Sequence, residues 1–450
     1  MITASVKTIN LPELEDFSPD DIGQQLHCLI SDLYPICRSI TGNGFRETLN
    51  IIKRYIPLEI HEVPSGTPVF DWTVPKEWNI RDAYIKNSRG QKVVDFKKSN
   101  LHVVNYSVPV NKKLALEELK SHLFTLPDYP DWIPYRTSYY KESWGFCLSH
   151  KQYLELQDEE YEVCIDSSLE TGYLTYGEYL LKGESSDEVL ISCHACHPSL
   201  CNDNLSGIAL AVFLAKHLSQ QSLRYSYRFL FIPGTIGSIT WLSLNEAQAS
   251  RIKHGLVLTC VGDSGKVTYK KSRRGDAEID KIVAYVLKHS AKDFEISTKD
   301  YEIIDFIPYG YDERQFCSPG FNLAVGCFMR SPHGSFPEYH TSADNLDFVE
   351  PQYLADSFSK CLEIFQIVEN NKTYLNQNPK CEPQLSKRGL YRSVGGQAEE
   401  ELNEMAILWV LNLSDGDHTL LDISQRSGLV FDVINKAANA LLKHNLLKLC

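Results

Sequence analysis

The sequence predicts an α/β fold: a mixed sheet covered by helices, with a small β-rich domain inserted into it and a separate helical domain near the C-terminal end. Three observations predict it. β-rich runs alternate with helical ones from about Glu178, bulky and polar residues alternate after Pro68, and helical spacing returns over roughly the last fifty residues. The expected boundaries are 1–66 with 170–380 for the split α/β domain, 67–169 for the insert, and 386–450 for the helical domain.

In chain order, residues 20–60 read as two helices, "IGQQLHCLISDLYPIC" and "FRETLNIIKRYI", with Gly42 and Gly44 breaking the chain between them. The insert opens on "PVFDWTVPKEWNIRDAYIKNSRGQKVVDF", which alternates around an Asn87-Ser88-Arg89-Gly90 turn as strands and hairpins do. Four of the six tryptophans (Trp72, Trp78, Trp132, Trp144) fall in the insert, and an aromatic core of its own is favoured there over an aromatic binding groove.

Beyond Glu178, "EVLISCHA" and "YRFLFIPG" flank the helical stretch "SGIALAVFLAKHLSQ", where Ile208, Val212 and Ala215 keep one face apolar. Strand, helix and strand in that order imply parallel pairing through a right-handed crossover. "GLVLTCVG" and "FNLAVGCF" add strands, and "VEPQYLADSFSKCLEIFQIVEN" reads as a long closing helix. Functional residues are expected where such strands end and loops begin.

The totals exclude several function classes. With 43% hydrophobic and 23% charged residues, the 450-residue chain has a globular composition. Its net charge of −13 argues against a broad surface for nucleic acid or anionic membrane. No signal peptide is expected, since the opening residues lack a basic start followed by an apolar core, and no run approaches the ~18 apolar residues that span a bilayer. Thirteen cysteines, odd in number and without framework spacing, fit reduced thiols, so a cytoplasmic location is expected.

The densest cluster of chemistry is "ISCHACHPSLCNDNLSG", Ile191 to Gly207. A strand delivers His194 and His197 just past its end, and "NDNLSG" opens the next helix with Asp203 near its start. Imidazole and carboxylate at such a crevice suit a divalent metal. Cys193-x-x-Cys196 raises a redox pair or half a zinc finger as alternatives, but no second Cys-x-x-Cys follows. Asp263 ends another β-rich run in "LVLTCVGDSG". His340 follows a loop in "FPEYHTSADNLDF", beside Glu338, Thr341 and Asp344. "YGYDERQFCSPGFNL" sets Asp312, Glu313 and Arg314 before a turn and a strand.

These motifs resemble the two-zinc aminopeptidases of carboxypeptidase-like α/β fold, and more closely a bacterial group of aminopeptidase-like proteins with an inserted small domain and a winged-helix tail. "HACHPSLCNDNLSG", "PGTIGSITWL", "DERQFCSPG" and "PEYHTSADNLDF" carry the match over about residues 20–60 and 178–370, and "PKEWNIRDAYI", "IPYRTSYY" and "WGFC" look like that group's insert. The resemblance implies a zinc-exopeptidase-like sheet and one or two zinc ions. It makes His194 a ligand of the first ion, Asp203 the bridging carboxylate, Asp263 a further ligand of the first ion and His340 a ligand of the second. It places Asp312 and Glu313 near the substrate, a small peptide or amide-bearing metabolite, and Arg314 is expected beside Asp312 as a substrate-binding residue.

The match departs in two places. Cys196 stands where the family has the aspartate of His-x-Asp, and it is followed by His197. The family's Glu-Glu pair falls on Gly234 and Thr235, or in a second register on Phe231 and Ile232, and neither yields a carboxylate. Losing a general base costs ~10²–10⁴ in rate. Three explanations stay open: Glu338 or Glu313 substitutes as the catalytic carboxylate, with His197 or His333 as replacement ligand; the site holds one metal and does a different hydrolysis; or the pocket binds without turnover. The expected function is zinc-dependent, aminopeptidase-like hydrolysis of a peptide or amide bond at an altered site. The alternative is an inactive peptidase-fold protein acting as a ligand-binding, regulatory or assembly module.

The C-terminal run has the three-helix order of a winged helix-turn-helix, and "TLLDISQRSGL" resembles that fold's short helix and turn. Between Ala398 and Cys450, however, four Lys or Arg face eight Asp or Glu, and "NLLKLC" leaves room for one wing strand but no hairpin. Packing or assembly is expected of it rather than DNA binding, and the chain as a whole is expected to form a homo-oligomer.

Overall fold

The computed structural model describes residues 19–289, 301–390 and 403–450. The larger of two compact units ends at Cys361, and the second contains Leu362–Cys450. No helix among the described residues is long and apolar enough to cross a membrane.

The larger unit is built on an eight-stranded mixed sheet. Its spatial order is Glu59–Pro64, Tyr173–Leu181, Ser226–Ile232, Glu188–His194, Ile252–Leu258, Val325–Met329, Val267–Lys270 and Tyr301–Ile304. The middle four run parallel, with Ser192 opposite Leu230 on one side and Val257 on the other. Parallel strands buried on both faces need continuous apolar sequence, and Glu188–His194 and Ser226–Ile232 are buried at every position. The charged groups on these central strands pair locally: Arg228 bonds Glu188 and, on the neighbouring strand, Glu178.

The crossover helix Gly207–Leu218 packs on the three strands around it. It was expected to keep one apolar face but is buried nearly all round, because the helix Pro19–Leu33 lies against its outer side. That is what its almost wholly apolar composition requires. The closing helix Pro351–Asn370 is tied in by Ser357 Oγ to the Val261 carbonyl (2.8 Å) and by Arg330 to Asp356 (2.7 Å).

Between the first two strands of the sheet, the insert forms a four-stranded antiparallel sheet ordered Lys92–Asp95, Glu77–Lys86, Glu160–Glu170, Val110–Ala115. Along Glu160–Glu170 alternate residues Tyr161, Val163 and Ile165 point inward, the period of two that a half-buried strand requires. The core they join is mainly aliphatic, with Ile85, Val94, Leu114, Phe146 and Leu148. This corrects the expectation of an aromatic core. Trp144 packs only at its edge, Trp78 is buried with its Nε1 on the Ser107 carbonyl (2.8 Å), and Trp72 is 41% exposed on a hairpin.

The second unit packs the helices Glu404–Leu413, Leu420–Ser427 and Phe431–Lys443 together beside a three-stranded sheet of Asp415–Thr419, Thr373–Asn376 and Leu447–Leu449. A capping box of Thr419 and Asp422 starts the short helix, and Gly428 ends it at φ 73°. The last strand, Leu447–Leu449, pairs antiparallel with Thr373–Asn376.

Candidate metal centre and its aromatic wall

His194 stands at the C-terminal end of a central parallel strand. The turn after it is shaped by its own amides. Asn202 Nδ2 donates to Asp263 Oδ2 (2.8 Å) while Asn202 Oδ1 accepts from the Gly262 amide (2.9 Å). Asn204 Nδ2 donates to the Leu258 carbonyl (3.0 Å), and its Oδ1 accepts from the Gly207 amide (3.1 Å). The two asparagines anchor the turn to neighbouring strand ends and leave Asp203, between them, to the histidines.

Three imidazoles converge on that carboxylate. His194 Nε2 lies 2.9 Å from Asp203 Oδ1, His340 Nε2 3.0 Å from Oδ2, and His197 Nδ1 3.3 Å from Oδ2. The ligand atoms of His194, His197 and Asp203 all fall within 4.8 Å of one another. Asp344 holds the turn from behind, accepting the amides of Asn202 (2.6 Å) and Asp203 (3.0 Å). One short segment thus carries both an imidazole and the clamp on its partner carboxylate.

Burial drives the His194 pKa down to about 3, against the pull of Asp203. Burial alone would raise the Asp203 carboxyl, but the contacts of His197, His194 and His340 outweigh it and hold the group well below the usual range. Asp344 is pushed up to about 8 by burial, although two amides oppose the shift. Imidazoles around a fixed carboxylate form a nitrogen and oxygen donor set that fits zinc. His333 strengthens the fit. Both its ring nitrogens are buried without a partner among the described residues, and its ring lies 4.9 Å from Tyr311.

The other expected residues lie apart from this cluster or are occupied. The Asp263 carboxylate binds Asn202, Ser331 Oγ (2.6 Å) and the Gly265 amide (2.7 Å), so it meets the Asp203 turn through Asn202 and not through His194. Glu313 is buried, its Oε1 paired with Lys270 and its Oε2 accepting the Tyr311 amide (3.1 Å), so both carboxylate oxygens already have partners. The half-buried Glu338 gives its backbone carbonyl to Thr341 (2.8 Å). No hydrogen bond or ion pair links its carboxylate to the histidines among the described residues. Arg314 Nε is buried without a partner among those residues.

At the departure from the family pattern, space is taken by an aromatic ring. A Cβ on Gly234 would stand 3.2 Å from Tyr311 Cε1, 3.5 Å from Cys196 Sγ and 3.7 Å from His194 Cβ. The Tyr311 ring stacks on His194 at 3.6 Å between centroids, and its hydroxyl lies 3.1 Å from His197 Nε2. Cys196 Sγ accepts the Gly234 amide (3.2 Å), and burial pushes its thiol up to about 12, so it stays protonated. Beside them, Asp312 Oδ1 accepts from the Thr235 amide (2.8 Å) and Ser238 Oγ (2.7 Å), while its buried Oδ2 has no partner among the described residues. Burial raises Asp312 to about 6.

The insert completes the wall. The Tyr135 amide donates to the His340 carbonyl (2.7 Å), and its buried ring sits 5.1 Å from both His197 and His340. Sequence reasoning missed Tyr311 and Tyr135. Each had a signal only by adjacency, Tyr311 in "YGYDERQF" and Tyr135 in "IPYRTSYY". A separate cleft of about 850 Å³, lined by Tyr34, Cys37, Trp78, Lys97 and Asn100, includes none of the converging histidines.

Fold and cluster together define an aminopeptidase-like α/β protein with a winged-helix domain. Over residues 27–371 the chain belongs to the family described as "Domain of unknown function (DUF4910)", and residues 372–449 match a winged helix-turn-helix family. A Clostridium acetobutylicum protein, provisionally described as a polysaccharide biosynthesis protein with aminopeptidase-like domain, is 58% identical over 95% of this chain and 97% of its own. The crystal structure of a provisionally assigned peptidase from Clostridium acetobutylicum matches at TM-score 0.89 and 57% identity, covering 96% of this chain and 97% of the other. The Bacillus subtilis zinc aminopeptidase BSAP matches in fold at TM-score 0.56 and 13% identity, over 80% of this chain and 96% of its own.

Proposed function

We propose that the chain is a zinc-dependent, aminopeptidase-like hydrolase of a peptide or amide bond, with an altered catalytic carboxylate. The observation that carries this reading is the convergence of His194, His197 and His340 on the buried Asp203 at a strand end. When bound there, zinc would supply a Lewis acid for the scissile carbonyl and for water.

The protein's own residues do the rest. Asp203 fixes three imidazoles in one arrangement, and Asp344 fixes Asp203. Tyr311 covers one face of His194 and keeps bulk water from it, and the Tyr135 amide sets the position of His340. Asp312 is held by two donors on one oxygen and is raised to about 6 by burial, so its Oδ2, without a partner among the described residues, can take or release a proton.

The Clostridium acetobutylicum relative's link to polysaccharide biosynthesis directs the search for the amide to saccharide building blocks. Thirteen unpaired cysteines support a reducing, cytoplasmic setting. The absence of a carboxylate at Gly234 and Thr235 favours a second reading, a peptidase-fold module that binds without turnover.

Metal analysis of the purified protein, followed by amine release from a panel of dipeptides and N-acyl compounds, tests the proposal. About one or two zinc ions per chain and zinc-dependent amine release are expected. Folded protein that takes up no added zinc would overturn the hydrolase reading.

A further inference from the structure

Two exposed aromatic residues of the insert belong to neither its core nor the metal cluster. Trp72 is 41% exposed and Tyr140 53%, and their rings meet edge to face at 5.3 Å. Beside them Phe70, 52% exposed, lies 5.9 Å from Phe321.

The backbone holds these rings in unfavourable conformations. Phe70 and Asp71 form the two-residue turn between paired Val69 and Trp72. Phe70 has φ 55°, at the position where a turn of this kind calls for glycine, and Tyr140 has φ 64°. A bulky residue at positive φ is a genuine outlier, and both rings stay more than half exposed. Such strain gathers where a side chain must be presented to a ligand.

The rings are continuous with the site. Tyr140 neighbours Tyr139 (6.3 Å), whose hydroxyl meets that of Tyr135 (2.9 Å), and Tyr135 lies against His197 and His340. The Phe70 hairpin packs on the helix Ile236–Leu244, which begins where Thr235 holds Asp312. From Trp72 through Tyr140, Tyr139 and Tyr135 a continuous row of aromatic faces and phenolic hydroxyls therefore reaches the histidines, with the Asp312 carboxyl near Tyr140. A neutral ring with an apolar C–H face and a rim of hydroxyls matches such a lining.

We propose that the site takes an N-acylated amino sugar, its ring seated on Trp72 and Tyr140 and its amide directed toward the histidine cluster. This deepens the hydrolase reading and rests on it. In the reaction, the oxygen of water bonds to the acyl carbon and the C–N bond breaks. The nitrogen keeps the electron pair and takes a proton from that water, leaving a carboxylic acid and a free amino sugar.

The test is calorimetric titration of the zinc-loaded, full-length protein with N-acetylglucosamine, with N-acetylalanine as the non-sugar amide, alongside an assay for released acetate. Wild type is expected to bind and hydrolyse the sugar. Trp72→Ala and Tyr140→Ala, both at exposed positions, are expected to weaken sugar binding tenfold or more with zinc content unchanged. Hydrolysis of N-acetylalanine or a dipeptide without binding of the sugar would overturn the substrate class and leave the hydrolase reading standing. Sugar binding that depends on Trp72 and Tyr140, with no amide cleaved, would support the platform and count against hydrolysis. Sugar binding indifferent to both substitutions would overturn the platform.

Discussion

Replacing Gly234 by glutamate tests what the altered site lacks. The backbone accepts a side chain here, since Gly234 is not among the glycines with positive φ. A Cβ would sit 3.2 Å from Tyr311 Cε1, closer than ordinary contact, with Cys196 Sγ at 3.5 Å and His194 Cβ at 3.7 Å. The Tyr311 ring must give by a few tenths of an ångström, an overpacking cost of ~1–3 kcal/mol. A further penalty of several kcal/mol attends an unpaired carboxylate buried beside His194. Without zinc the variant should therefore unfold at lower urea concentration than wild type, and zinc should restore much of the loss. If the missing carboxylate is the missing base, amine release should rise ~10²–10⁴-fold, which is ~3–5 kcal/mol of barrier. Urea melts with and without zinc, and steady-state amine release at saturating zinc, read both effects. A folded Gly234→Glu protein with wild-type zinc content and wild-type rate would refute the reasoning. It would show that Tyr311, or a group beside it, already supplies what glutamate supplies elsewhere.

Other outcomes follow from the same geometry. Asp203→Asn and His340→Ala are expected to lose zinc uptake while keeping far-ultraviolet circular dichroism, and unchanged stoichiometry would remove those residues from the site. Asp312 has a folded pKa raised from 3.8 to about 6, so its contribution to stability is complete below its unfolded value and is lost as pH rises through 6. That shift corresponds to ~3 kcal/mol. Asp312→Asn keeps an acceptor for Thr235 and Ser238 and should flatten the decline between pH 4 and 6, while an unaltered slope in urea melts would assign it to another group. The C-terminal unit is expected not to bind random-sequence duplex DNA at physiological ionic strength. Lys436, on the would-be recognition helix, already pairs with Asp432 (2.9 Å), and salt-dependent binding would overturn this.

How far the sequence could be read depended on chain distance. The strand that ends in His194 and the turn that carries Asp203 are nine residues apart, so β-rich patterning and local polarity were enough to expect them at one place. His340 meets the same carboxylate from 137 residues away and was reachable only through motif order. The crossover helix was legible as a helix, but its burial on both sides was not, because that depends on where the N-terminal helix packs.

By itself, the sequence determined the layered α/β framework, the parallel centre of its sheet, the separate C-terminal helices and the absence of a carboxylate at Gly234 and Thr235. Only the tertiary structure decided which polar groups were already spent. Glu313 and Asp263 are ordinary acidic residues in the sequence, and Lys270 and Asn202 claim them in the fold. Tyr311 is one of 24 tyrosines until packing stacks it on His194 in the space a glutamate would need. The insert's tryptophans likewise looked like core and divide between buried and exposed once the hairpin is placed. The physical reason is that residue type and period report on local backbone and burial. Partners, vacancies and exposure arise from contacts between segments that only the folded chain brings together.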